Sequence, residues 1–413
     1  MRIRPFRGFR PQPHLAARVS LIPNGLLGDP ARRRAARNNP YSFAHVVKPR
    51  IDFSDDIKST DQQIYEFARG YFEKMVREGI LIRDAVPSFY LYRSILPTHR
   101  QTGIICCLDV DDYDHNKIRR HEHTRLDKEL ANEQQIALTG LNGNPVFLAH
   151  RPTNAIETFL QHLAEQPADY DFAAEGGWQQ QLWVINDADQ VKQLMELYEQ
   201  HVPVSYIADG HHRCAAASRF AASMRQNNQP YRSRDHQFFL AGLFSASQLH
   251  IYDYNRVVRS LNGMTPQQFL QRIAERFEVQ PAPRSPLKPQ RAEEIGLFLN
   301  GSWHLLTVRP EFIPDDVVGK LSVSLLQDHL LEPVLGITDP RSSKELDFIP
   351  GIRGLKELER RVTKGRAAAA FSLFPVSMDE LIAVSDQGRI MPPKSTWFEP
   401  KLLSGLVVFK MEY

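Results

Sequence analysis

The chain has 413 residues, 42% hydrophobic and 24% charged, and 51 Lys and Arg oppose 48 Asp and Glu for a formal net charge of +3. That length allows two domains with sizeable cores, and the near-neutral balance argues against a nucleic-acid-binding tail or a general acidic partner. No run of about 18 apolar residues exists, so no membrane-spanning helix is expected.

Cys106 and Cys107 are adjacent and Cys214 stands alone. This is neither a disulfide framework nor a zinc ribbon, and it suits a reducing, cytoplasmic setting. The N-terminal stretch M-R-I-R-P-F-R-G-F-R-P is basic but lacks the apolar centre of a secretory signal.

Residues 1–50, rich in Arg, Pro and Asn, predict loops and short strands wrapped around a domain. Ile64, Phe67, Ala68, Phe72 and Val76 recur at helical spacing, so a helix is expected over 60–78, closed by Gly79. The aromatic run S-F-Y-L-Y-R predicts a strand at 88–93, and a second buried strand covers 102–110. A charged helix is expected over 122–137 and a strand over 144–149. Further strands follow at 182–185, 204–208 and 237–244, with helices at 188–200 and 212–224. Strands and helices alternate without the regular spacing of a doubly wound sheet, which predicts a mixed α/β or α+β fold. The stretch Q-P-A-P-R-S-P-L-K-P-Q at 280–290 is the clearest break. It predicts a core region over 1–279 and a C-terminal α/β region over 291–413, packed back on the core. Helices are expected there around 322–334 and 353–364.

The densest chemistry lies at Asp209-Gly210-His211-His212-Arg213, between the strand at 204–208 and an alanine-rich helix. Free N–H groups and the helix dipole favour an anion at such a junction. Gly210 permits close backbone approach, and the Arg213 fork matches phosphate oxygens. His211 and His212 can donate to phosphate or move a proton, and Asp209 can hold Mg²⁺ or orient a histidine. The plainer alternative makes Asp209 an N-cap and the histidines solvated. Five such residues in a row favour a site. No Walker A and no Rossmann glycine pattern is present.

Residues 117–129 read K-I-R-R-H-E-H-T-R-L-D-K-E. The spacing fails the zincin H-E-x-x-H pattern, because Arg125 occupies the fifth position. Glu122 is a candidate base or Mg²⁺ ligand at the helix start. Arg120, His121, Thr124 and Lys128 are secondary candidates beside it, against a simple charged helix face. In M-P-P-K-S-T-W-F-E-P-K, Lys394, Ser395 and Thr396 present one charge and two hydroxyls that could clamp a phosphate. The alternative is a rigid turn anchored by Trp397 and Phe398. Arg256 is a candidate cation behind the site, against an ordinary surface arginine. Asp109, Asp111, Asp112 and Asp114 lack the Gly and Glu of an EF-hand and read as a solvated acidic turn.

Taken in order, R-P-F-R-G-F-R-P, N-P-Y-S-F-A-H-V at 39–46, R-H-E-H-T at 120–124, Y-I-A-D-G-H-H-R at 206–213 and M-P-P-K-S-T-W-F-E-P-K at 391–401 resemble the DUF1015 family over nearly the whole chain. The D-G-H-H-R turn also looks like the phosphate-binding turn of the ParB/sulfiredoxin-like fold, which includes free-serine kinases. That resemblance implies a nucleotide phosphate on Gly210, His211, His212 and Arg213. Where the relatives are expected to carry a P-Y-D segment, this chain has Leu21-Ile22-Pro23-Asn24-Gly25, which puts its catalysis in question. The leading expectation is a phosphotransferase for a small hydroxyl substrate such as free L-serine, using Mg²⁺ and ATP or ADP. Glu122, Asp209 or His212 would orient the hydroxyl. The rivals are a nucleotide-gated binding module and a metal-dependent hydrolase built on His121, His211 and His212.

Overall fold

A computed structural model describes residues 1–24, 26–53, 61–97, 99–226 and 233–412. The fold is mixed α/β, and the chain forms two compact units. Unit 1 comprises Met1–Arg119, Thr124–Leu249 and Pro400–Tyr413; unit 2 comprises Arg120–His123 and His250–Glu399. The division therefore falls at 249/250, not in the Pro-rich stretch at 280–290. That stretch lies inside unit 2, between two strands that both pair with Ser302–Val308, and so it is a connection within one sheet.

Unit 1 is built on a mixed sheet. Its order is Ile118–Arg119, Ser205–Asp209, Val146–His150, Phe238–Ser245, His99–Asp109, Phe89–Leu96, Gln179–Ile185, Tyr170–Ala173, and Ile3–Arg4 also pairs with His99–Asp109. Two neighbouring pairs run parallel and the others antiparallel. The central strands carry apolar side chains on both faces. Ile104 to Leu108 are all buried, as are Phe239 to Phe244. Residues that alternate between two covered faces leave no polar side, which is why these strands read as continuous apolar runs.

Unit 2 holds an antiparallel sheet ordered Phe277–Pro281, Ser302–Val308, Glu294–Leu299, Ala369–Leu373, Tyr254–Val258, Leu346–Pro350. The sequence predicts helices in this region and none of these strands. Several are short or alternate weakly, so their pairing comes from tertiary context.

Most expected elements of unit 1 are present with shifted ends. The helix expected from residue 60 is Asp61–Arg77; residue 60 lies outside the described residues. The helix expected at 122–137 is Leu126–Thr139, ended by left-handed Gly140. Its start is late because Ile118–Arg119 is still a strand beside Ser205–Tyr206 and Arg125 is extended. Glu122 is therefore not at a helix start. Asp109 caps the helix Val110–Asp114 by accepting from the Asp111 N–H, so the acidic run is a helix start. The helix expected at 322–334 is Ser322–Leu326 followed by a π-helical turn, Gln327–Leu331.

Candidate anion site

In unit 1 the D-G-H-H-R segment has the expected local form. Ser205–Asp209 is a strand, Gly210 turns with φ 112°, and the helix His211–Gln226 begins at once. The register with Val146–His150 shifts between Ile207 and Asp209. Such irregularities re-aim a side chain at the end of a strand. Ala215, Ala216, Ala217 and Ala221 are buried, so the helix packs closely through small residues.

The Asp209 carboxylate is held between two cations. Arg213 Nη2 donates to Oδ2 at 2.8 Å and Lys401 Nζ donates to Oδ1 at 3.1 Å. Burial alone would raise this carboxyl, but Lys401 and Arg213 outweigh it and hold Asp209 well below the usual carboxylate range. Asp209 is thus a fixed anion and a poor proton acceptor. It neutralises one of the two cations and leaves one positive charge at the helix N-terminus. Arg213 also donates to the Asn144 carbonyl at 3.4 Å. The guanidinium folds back over the turn. A Cβ on residue 210 would lie 2.8 Å from Arg213 Nη2, so both the backbone angle and the space require glycine.

His211 is buried, and His212 Nε2 accepts the Arg125 N–H at 3.1 Å. His212 therefore braces the start of the helix Leu126–Thr139. Thr124, half-buried, makes no side-chain hydrogen bond among the described residues. Lys128 is exposed on that helix.

Two clefts adjoin the turn. A small one, about 230 Å³, is lined by Asp209, Arg213 and Lys401 together with Pro23 and Asn24. The segment that departs from the expected P-Y-D thus borders the site itself; its last residue, 25, lies outside the described residues. A larger cleft, about 680 Å³, has Arg213, Lys48, Asn132 and Asn144 in its walls. Burial lowers the Lys48 pKa, and the charges of Arg213 and Lys128 lower it further.

Lys48, Lys401 and Asn144 were missed in the sequence. Lys401 is the last residue of the M-P-P-K-S-T-W-F-E-P-K motif, and Lys48 follows N-P-Y-S-F-A-H-V by two positions. Both had a signal, the motif boundary, that the residue types alone did not carry.

Unit 2 holds Arg120–His123 and residues 391–399, the larger parts of the other two motifs. The Met391 N–H donates to the His121 carbonyl at 2.9 Å, and His121 Nε2 lies 3.4 Å from Thr396 Oγ1. His121 is 2% exposed, and burial pushes its pKa down to about 4. Ser395 is buried and donates to the Pro392 carbonyl at 2.7 Å. Two of the three K-S-T side chains thus hold the loop together. Lys394 alone is exposed, with left-handed φ 58° and its Nζ 5.9 Å from the Tyr254 ring centroid. Arg256 is not a surface arginine. It is 3% exposed, donates to the Tyr254 carbonyl and, at 3.2 Å, to the Pro393 carbonyl, and lies 5.1 Å from the Phe348 ring centroid. Burial brings its pKa down to about 9. Glu122 is half-buried, and its charge adds to the burial that raises Tyr254 to about 12. Arg120 is exposed.

The expected Mg²⁺ ligands do not form a cage. Both Asp209 oxygens are engaged by cations. Among the described residues no three His, Cys, Asp or Glu side chains gather to hold a metal, so a centre built on His121, His211 and His212 has no support either. A protein-only cage is not the usual way to hold Mg²⁺, which keeps waters and substrate phosphates as ligands.

The family model described as "Protein of unknown function (DUF1015)" matches residues 3–327. None of the curated proteins matches the chain. Among solved structures, the chain is similar to a free serine kinase variant in complex with ADP, at 13% identity and TM-score 0.37, over 75% of this chain and 92% of that one. A conserved hypothetical protein from Pyrococcus furiosus is similar at 13% identity and TM-score 0.36, over 75% and 95%. SbnI with a C-terminal truncation, from Staphylococcus aureus, is similar at 12% identity and TM-score 0.38, over 73% and 85%.

Proposed function

The chain belongs to the DUF1015 family, and we propose that it is a nucleotide-dependent phosphotransferase acting on a small hydroxyl substrate such as free L-serine. One observation carries the reading. Arg213 and Lys401 share a single carboxylate at the N-terminus of the helix His211–Gln226 and leave net positive charge facing a cleft. Phosphoryl transfer depends mainly on positioning and on neutralising the charge of the transferred group. Arg213 supplies a planar fork for two phosphate oxygens, Lys401 a point charge, and the first helical N–H groups further donors.

Asp209 acts as a brace that fixes both cations, because its depressed pKa makes it a weak base. His212 reaches a proton only after leaving the Arg125 N–H. Released from that contact, His212 is the group of this unit left to take the proton of the acceptor hydroxyl. In the transfer the bond from phosphorus to the leaving phosphate oxygen breaks, a bond to the acceptor oxygen forms, and the hydroxyl proton passes to that base. Mg²⁺, where used, would enter with the nucleotide phosphates and neutralise their charge.

Phosphorus NMR of the protein with Mg²⁺, ATP or ADP, and a hydroxyl panel led by L-serine tests the reading. A new phosphomonoester signal that is lost in Arg213→Ala is expected. Nucleotide binding without that signal would replace it with the gated binding module, and unchanged binding by Arg213→Ala would overturn the site.

A further inference from the structure

The larger of the two clefts beside the turn has an electrostatic feature that folding does not require. Lys48 lines it, half-buried, and among the described residues no carboxylate or hydrogen-bond acceptor engages its Nζ. The charges it feels are those of Arg213 and Lys128, both repulsive. Long cations removed from water normally find an acid, and collecting like charges around one opposes folding. The loop that carries Lys48 is pinned on both sides. His45 Nδ1 lies 2.8 Å from Asp52 Oδ2 and its Nε2 lies 3.0 Å from the Asn39 carbonyl oxygen, while its ring stacks on Tyr71 at 4.4 Å. The N-P-Y-S-F-A-H-V motif therefore holds the backbone that presents Lys48.

The remaining walls are of two kinds. Val46, Val47 and Ile136 supply apolar surface, and Asn132, Asn142 and Asn144 supply amides. All three asparagines are half-buried, and among the described residues their side chains make no hydrogen bond. Amide side chains match the donor and acceptor edge of a purine base.

We propose that this cleft binds a purine nucleotide, with Lys48 and Arg213 on its phosphates and the base between the apolar wall and the asparagine amides. The proposal rests on the phosphate-binding reading of the D-G-H-H-R turn and adds the ligand's organic half and one more cation.

Calorimetric titration with ADP and with inorganic tripolyphosphate separates the two. Lys48→Met keeps the aliphatic stem and should weaken both ligands by about tenfold or more. Asn132→Ala, on a partly exposed helix face, should weaken ADP by about three- to tenfold and leave tripolyphosphate unchanged. Thermal melts of both variants establish that they fold, and Lys48→Arg should restore tripolyphosphate affinity. If Lys48→Met and Asn132→Ala bind ADP as the unmodified protein does while Arg213→Ala does not, the cleft assignment falls and the phosphate site stands. If the unmodified protein binds neither ligand, both fall.

Discussion

Two arginines set the units apart. Arg213 in unit 1 is partly exposed, paired with a carboxylate and beside a cleft; Arg256 in unit 2 is almost wholly buried, with carbonyl oxygens and a ring for neighbours. On the proposed reading, the first exchanges partners with an incoming anion. The second is spent on the loop that carries Lys394, because its guanidinium ties the Pro393 carbonyl to the Tyr254 strand. A cationic side chain can thus act on a ligand or on the backbone that presents one, and exposure together with partner type separates the cases.

The widest test of that contrast is Arg256→Ala. It removes the donor to two carbonyls and leaves a cavity beside Phe348, so unfolding free energy should fall by about 3 kcal/mol or more. Arg213→Ala should lower stability by about 1 kcal/mol or less in the same urea titration, while abolishing nucleotide binding. Equal losses of stability would erase the distinction.

His121 gives an effect of similar size that depends on pH. Its pKa falls from 6.5 to about 4 in the folded protein, so the folded state favours the neutral ring. The stability tied to that ring is fully present above pH 6.5. As pH falls, the unfolded chain takes up the proton first, and up to about 3 kcal/mol is lost by pH 4. Urea midpoints measured between pH 7 and 4 should fall less steeply in His121→Gln. Identical slopes would mean that His121 is hydrated, and the closed contact with Thr396 would be wrong.

The sequence exposed local features better than pairings. The strand, turn and helix around Asp209–Arg213 were legible because glycine and the alanine run act over a few residues. The partners of that turn were not. Lys401 meets Asp209 from 192 positions away, and Lys48 reaches the cleft on a loop whose form depends on the contact of His45 with Asp52. Motif membership flagged Ser395 and a strand-like run flagged Arg256, but their roles follow from burial, which residue type does not specify. The unit 2 sheet was also hidden, since strands such as Leu346–Pro350 and Phe277–Pro281 have mixed burial and end in proline.

Gly210→Ala probes the turn with a smaller effect. At φ 112° an alanine is strained, and its Cβ would press on the Arg213 guanidinium. A loss of about 2 kcal/mol in stability is expected. Displacing the guanidinium should also weaken tripolyphosphate binding, whereas a stability loss with unchanged binding would show that Arg213 need not lie over the turn to hold an anion.

The smallest expected change is the most informative about Asp209. Asp209→Asn keeps the shape of the side chain and removes its charge. Arg213 and Lys401 then lose their shared anion, which should cost about 1 kcal/mol of stability, because the pair is partly solvated. The same change frees two cations for a ligand, so tripolyphosphate should bind more tightly than to the unmodified protein. Turnover distinguishes a brace from a base. A brace predicts that phosphomonoester formation persists, with altered nucleotide affinity. A direct role in orienting the acceptor hydroxyl predicts that formation stops while binding strengthens, and that outcome would move Asp209 from holding the cations to touching the substrate.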